Sequence, residues 1–204
     1  MTQDVPTTID FRLAEHAQAW AESAMAVRPW RAEFFAAFAK VIKSTCAGQR
    51  CRVLELGSGP GFLARQLLDA AALDYVAVDF SAAMHALARQ RLGDLATQVQ
   101  FVERSLRDAD WGDGLGQFHF AVTNQAVHEL RHKRYAGALH EQVRERLLPG
   151  GGYLVCDHFF GEGGMSNDQL YMTVAEQREA LLSAGFAQVE QLLLKNGLVL
   201  HHAS

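Results

Sequence analysis

The chain has little of what would tie it to a membrane, a nucleic acid or an oxidising compartment. It has no run of 18 apolar residues, so no segment reads as a membrane span. Its first stretch carries Asp4, Asp10 and Glu15 and lacks an apolar core, unlike a secretory signal. Lys and Arg total 19 against 23 Asp and Glu, for a net charge of −4. The basic residues are scattered, and without a cluster to neutralise phosphates a nucleic-acid partner is not expected. There are three cysteines, Cys46, Cys51 and Cys156, an odd number without C-x-x-C spacing. They are expected to be reduced thiols packed as small hydrophobes in a cytoplasmic protein. No internal repeat or low-complexity segment interrupts a composition that is 49% apolar and 21% charged, ordinary for a soluble globular chain of one domain.

What the chain does have is an apolar strand running into alternating glycines, Val53-Leu54-Glu55-Leu56-Gly57-Ser58-Gly59-Pro60-Gly61. Without side chains at 57, 59 and 61, backbone can lie directly against a ligand. The free N–H groups of the helix that opens at Phe62 then face that ligand. A second apolar strand, Tyr75–Val78, ends at Asp79, placed to accept hydrogen bonds from a ribose diol. A dinucleotide fingerprint G-x-G-x-x-G would want glycine at 62, where this chain has Phe. Glu55, two residues before the first glycine, suits a ligand bearing an ammonium group.

Two amphipathic helices precede this unit. Leu13, Ala17, Trp20, Ala24 and Val27 mark one face of a helix over 7–27, and Trp30, Phe34, Phe38 and Val41 mark another from Pro29 to about 45. Strands are expected near 51–56, 74–79, 98–103, 118–124, 151–158, 186–193 and 197–202. Helices are expected near 60–72, 81–92, 132–147 and 174–184, the last with Thr173 and Glu176 as a capping box. Apolar strands separated by helices imply a largely parallel α/β sheet covered on both faces. Lys195-Asn196-Gly197 joins the last two strands as a hairpin, so one strand near the end should run antiparallel.

The pattern E-x-G-x-G-x-G followed by the acidic strand end resembles the class I S-adenosylmethionine-dependent methyltransferases. The likeness extends over roughly 50–200 through Leu147-Leu148-Pro149-Gly150-Gly151 and Ala184-Gly185-Phe186. It implies a Rossmann-like, seven-stranded, mostly parallel sheet with a terminal antiparallel hairpin strand. It also implies a helical cap over 1–47 preceding a cofactor-binding domain over 48–204. By the same resemblance S-adenosylmethionine is the cosubstrate and S-adenosylhomocysteine its product. Glu55, Gly57, Ser58, Gly59 and Gly61 would form the donor loop, with Asp79 on the ribose. Phe80, Met84, Ser105 and Leu106 would lie around the adenine, and Asn124 nearby. Ser105 stands where relatives often have Asp or Asn.

The acceptor end is expected past the fourth strand, where open parallel sheets bind ligands. His128 is the candidate general base for an oxygen nucleophile, with an ordinary pKa near 6.5. Glu129, Asp157, His158 and Tyr171, with Trp20 and Trp30 from the cap, are the candidate substrate contacts. His128, Glu129, Asp157 and His158 could together hold a divalent metal, but no i, i+4 ligand pair supports one, and no metal is expected. Asn124-Gln125-Ala126-Val127 lacks the prolines and aromatic of base-modifying relatives, which again points away from nucleic acid. The expected acceptor is therefore a small molecule. The alternatives are a regulatory protein that binds the donor without catalysis and, less consistent with Phe62 and Glu55, an NAD(P)-dependent oxidoreductase. The aromatic face of 30–41 would serve a homodimer as readily as a lid.

Overall fold

The computed structural model describes residues 3–204. The chain divides into two compact units, Thr7–Ser105 and Leu106–Ser204, the latter also including the N-terminal residues through Pro6. The division falls between Ser105 and Leu106. The two leading helices belong to the unit that carries the glycine loop.

In the unit Thr7–Ser105 the elements are α1 (Ala14–Val27), α2 (Arg31–Cys46), β1 (Cys51–Leu56), α3 (Phe62–Ala70), β2 (Leu73–Asp79), α4 (Ala82–Leu92) and β3 (Val99–Glu103). The three strands are parallel, with Glu55 beside Ala77 and Asp79 beside Glu103. Both β1 and β2 are buried almost throughout, as strands covered on both faces must be. α2 packs on α3 and α1 on α4. α1 begins at Ala14, seven residues later than the apolar spacing predicts. Asp10 holds the preceding turn by accepting from the Arg12 and Leu13 amides, through its carboxylate and its carbonyl respectively. The face that α1 buries is Ala17, Ala21 and Ala24, while Leu13 and Val27 are exposed. α2 buries Phe34, Phe35, Phe38 and Ile42. The aromatic face expected to be open for a dimer is thus already inside this unit.

Cys46 and Cys51 form a disulfide, contrary to the expectation of reduced thiols, while Cys156 is a buried thiol. α2 ends with Ala47 and Gly48 in the left-handed region (φ 47° and 84°), which turns the chain back so that the two Cα atoms lie 6.0 Å apart. Sequence spacing alone does not show that reversal.

In the second unit β4 (Phe118–Asn124) pairs in parallel with β5 (Leu147–His158), around which α5 (Ala136–Glu145) and α6 (Val174–Ser183) are arranged. β7 (Leu198–Ala203) runs antiparallel to both β5 and β6 (Val189–Lys195), as the terminal hairpin requires. β5 starts earlier than expected because Leu147 already pairs with Phe118, before a register shift that brings Gly152 opposite Phe120. A Cβ at Gly151 would meet the Leu148 and His119 carbonyls at 2.9 and 3.0 Å, so the Pro-Gly-Gly-Gly run is a packing requirement there. α6 opens on the expected capping box: Thr173 Oγ1 accepts from the Glu176 amide, and Glu176 accepts from the Thr173 amide. The strand order is β3-β2-β1-β4-β5-β7-β6, a seven-stranded sheet with its antiparallel strands at one end.

Candidate active site

In the first unit the carboxyl ends of β1 and β2 build a loop around Asp79. Gly57, Gly59 and Gly61 all have positive φ (64°, 53° and 78°), a conformation that excludes ordinary side chains at low cost. The Gly57 and Ser58 amides donate to the Val78 carbonyl at 2.8 and 3.1 Å, which fixes the loop to β2. The Asp79 carboxylate completes this fixation, accepting from the Gly59 amide at 2.8 Å and the Ser81 amide at 2.9 Å. A Cβ at Gly59 would meet nothing within 4 Å, whereas one at Gly61 would press on Ala88 of α4 at 3.1 Å. Gly59 therefore borders open space and Gly61 borders a helix. Ser58 Oγ is buried without a hydrogen-bond partner, a state that calls for a ligand or water.

Phe80 and Met84 follow on the same rim. Met84 is buried and its amide donates to Ser81 Oγ, which caps α4 and itself donates to the Phe11 carbonyl. The Arg12 guanidinium lies over the Phe80 ring at 4.6 Å, a cation–π contact absent from the sequence reading. Ser105 is half-buried at the end of this unit. Trp20 is held edge-on by Phe11 at 5.8 Å with Arg31 over its face at 5.2 Å. Trp30 is half-buried, with its indole N–H buried and unpartnered.

Glu55 is only 2% exposed. Burial drives its pKa up to about 8; the Tyr75 hydroxyl, donating at 2.9 Å, works against that rise, and Asp79 adds to it. Its position two residues before the glycines suggested a contact for an ammonium group. In the structure its hydrogen-bond partner is Tyr75, a neighbour the sequence did not single out.

In the second unit, Leu106 is half-buried and Asn124 ends β4 with a buried, unpartnered Oδ1. Gln125 follows at φ 57°, an uncommon conformation for a residue with a side chain. It is tied down by its amide to the Cys156 carbonyl at 2.7 Å and by its side chain to His158 Nε2 at 2.7 Å. That turn leads into a short 3-10 segment over 128–130. Here His128 Nδ1 meets Asp157 Oδ1 at 2.6 Å, and its Nε2 lies 3.3 Å from Glu129 Oε1. Asp157 also accepts from the His128 and His158 amides at 2.8 and 2.7 Å. Glu129 Oε2 in turn accepts from Arg131 Nη1 at 3.3 Å.

An imidazole flanked by carboxylate oxygens at both nitrogens has two N–H donors and carries its proton. Burial disfavours that charge, but Asp157 and then Glu129 outweigh it and lift the His128 pKa to about 10. Burial likewise opposes ionisation of Asp157, yet His128 and His158 hold it below the usual carboxylate range. A general base must be neutral to accept a proton, and the two carboxylates beside His128 favour its charged form instead. His158 uses Nδ1 toward the Gly197 carbonyl at 3.2 Å, and its ring packs on His128 and Tyr171. Tyr171 also packs on His128 at 5.4 Å. Among the described residues no group of three or more His, Cys, Asp and Glu is arranged to hold a metal.

Arg131, missed in the sequence, has a second job. Its Nε and Nη2 donate to the Val5 and Pro6 carbonyls at 3.0 and 2.8 Å, and its own carbonyl accepts from the Val5 amide. One residue earlier, Asp4 accepts from Arg107, Arg134 and Tyr135. Residues 4–6 thus form a strap pinned to the segment that follows His128. No local pattern marks such a pairing, since its partners stand more than a hundred positions away.

Residues 53–151 match the family model described as a methyltransferase domain. The fold is shared with solved methyltransferase structures. A complex of DhpI with SAM and HEP superposes with TM-score 0.70 at 22% identity, covering 95% of this chain and 94% of that one. An O-methyltransferase family protein from Burkholderia thailandensis gives 0.74 at 20% identity, over 95% of this chain and 61% of that one. The glycopeptide N-methyltransferase MtfA gives 0.63 at 18% identity, over 83% and 90%. No curated protein matches the sequence significantly. Among the described residues no helix is long and apolar enough to cross a membrane.

Proposed function

We propose that the protein is a methyltransferase that uses S-adenosylmethionine as donor and a small molecule as acceptor, with transfer to oxygen. The observation that carries the donor assignment is the tie between Asp79 and Gly59, beside a buried Ser58 hydroxyl that lacks a partner. The open space at Gly59 fits a ligand lying on the loop backbone, and an acidic residue at the end of the second strand fits a ribose diol. Solved relatives in complex with SAM, including DhpI and MtfA, support the same choice of donor. When bound, the donor supplies an activated methyl group on a sulfonium, so the protein's task is chiefly alignment.

The chain's own residues divide that task. Gly57, Ser58, Gly59 and Gly61 offer backbone and hydroxyl groups to the amino-acid part of the donor, with Glu55 behind them. Asp79 holds the ribose, and Phe80, Met84, Ser105 and Leu106 flank the base, with Asn124 presenting its free carbonyl oxygen. At the acceptor end His128 donates from Nε2, held in orientation by Asp157. Glu129, His158 and Tyr171 surround it, and Trp20 and Trp30 remain proposed apolar contacts on the other unit.

Calorimetric titration with S-adenosylhomocysteine tests the donor assignment. Micromolar binding that collapses in Asp79→Ala is expected. A folded wild-type chain that does not bind would overturn it.

A further inference from the structure

Beneath His128 lies a small cavity of about 10 Å³, on the order of one water or one acid oxygen. Its walls include His128, Lys133, His140, Asp157, His158 and Tyr171. A neutral alcohol or phenol acceptor would need a base here, and each titratable wall residue can be checked for that role. His128 already carries hydrogens toward two carboxylates. Asp157 already accepts from His128 Nδ1 and two backbone amides. His158 holds Gln125 and the Gly197 carbonyl. His140 Nδ1 is unpartnered, but burial pulls that imidazole down to about 4, too weak a base for a hydroxyl proton. Lys133 rests its ammonium on Glu176 at 2.7 Å.

The charges around this wall point the same way. Of the two cations, His128 is met at Nδ1 by Asp157, which lines the cavity, and at Nε2 by Glu129, while Lys133 is met by Glu176; neither glutamate lines the cavity. Glu129 and Glu176 are part-exposed, at 31% and 45% of their side chains. An incoming anion would therefore replace one carboxylate by another, with little new charge to desolvate. Arg131 stands on the far oxygen of Glu129 and can retain it when His128 changes partner.

We propose that the methyl acceptor is an oxygen acid already ionised at neutral pH, one oxygen of which is held by His128 Nε2 while a second attacks. The inference rests on the methyl-transfer reading above and names its substrate class. A lone pair of the second oxygen forms the new C–O bond as the methyl–sulfur bond breaks, its electron pair passing to sulfur. The negative charge of the acid and the positive charge of the sulfonium disappear together. The products are a thioether and a methyl ester with one negative charge fewer than the acid, and an acid that is fully ionised releases no proton. Methylation of an alcohol or phenol, by contrast, releases one proton and needs a base to take it.

The test uses the full chain saturated with S-adenosylhomocysteine and four probes: phenylacetate, phenylphosphonate, 2-phenylethanol and phenol. Calorimetry should show at least one acid binding ten or more times tighter than either neutral probe. The preferred acid then tells a carboxylate acceptor from a phosphonate one. That preference should fall at least tenfold in His128→Gln and in Lys133→Met, with S-adenosylhomocysteine affinity unchanged in both. With S-adenosylmethionine present at about pH 8.5, where both acid probes are fully ionised, an indicator dye should record ester formation without acidification. Neutral probes that bind as well as the acids, acids that fail to bind, or one proton per methyl transferred would each overturn the acid assignment while leaving donor binding intact. Failure of S-adenosylhomocysteine itself to bind would instead bring down the methyl-transfer reading on which it rests.

Discussion

The Gly59 amide donates to the Asp79 carboxylate at 2.8 Å, joining two residues 20 positions apart. The carboxylate that suits a ribose is therefore also what holds the loop in shape. Asp79→Ala removes both, and with them charge-assisted hydrogen bonds worth about 1.5–3 kcal/mol each. A loss of S-adenosylhomocysteine affinity of roughly 10–100-fold is expected, together with a lower Tm. Asp79→Asn, which keeps an acceptor oxygen, should retain more of the Tm than of the affinity. Paired calorimetry and thermal melts check this.

Gly61 and Gly59 should respond differently to alanine. Both have positive φ, which costs a side-chain residue about 1–2 kcal/mol. Gly61→Ala also meets Ala88 Cα and Cβ at 3.1 Å, so it must push α3 and α4 apart. It should lower Tm more than Gly59→Ala, whose new methyl meets open space and should act mainly on donor affinity.

Glu55 gives stability a definite slope with pH. Its pKa is raised from about 4.5 unfolded to about 8 folded, so its contribution is full below 4.5 and is lost as pH rises through 8. Each tenfold change in proton affinity is worth about 1.4 kcal/mol. Glu55→Gln keeps the shape and a partner for Tyr75 without a charge to bury. Denaturant melts at pH 5 and pH 9 should show the variant gaining on wild type at the higher pH.

His128 has its own window. Its pKa is raised from 6.5 to about 10, so the stabilisation it provides is complete below 6.5 and drains away up to about 10. Asp157, held low, provides its share above its ordinary 3.8 and loses it as pH falls. His128→Gln should therefore cost most near pH 5–6 and least at pH 10. Melts of Glu55→Gln and His128→Gln across that range separate the two slopes. An NMR titration of the His128 ring, with its midpoint expected well above 7, checks the cause directly.

Much of the fold is legible in the sequence because strand burial and helix periodicity are local signals. Both β1 and β4 begin and end where their apolar runs do, and Thr173 with Glu176 marks the start of α6. The terminal hairpin is written in Lys195-Asn196-Gly197, with Asn196 and Gly197 both at positive φ. The start of α1 is not legible, since the turn at Asp10 overrides an apolar spacing that continues through it. The disulfide depends on a left-handed reversal at Ala47, which no spacing rule reports. His128 is visible as a functional candidate from its place after β4. Its protonation is not, because that is set by Asp157, 29 positions away on β5, as much as by its neighbour Glu129.

The strap formed by Asp4, Val5 and Pro6 has a temporal consequence. Asp4 pairs with residues 103 and 131 positions ahead, and Arg131 grips carbonyls 126 and 125 positions behind it. Residues 4–6 must wait for Tyr135 before they can dock. Contacts closing so long a loop come late in folding, and the entropic cost of closure is borne by a handful of hydrogen bonds. Protection of the Val5 amide from hydrogen exchange thus dates the completion of the fold rather than its beginning.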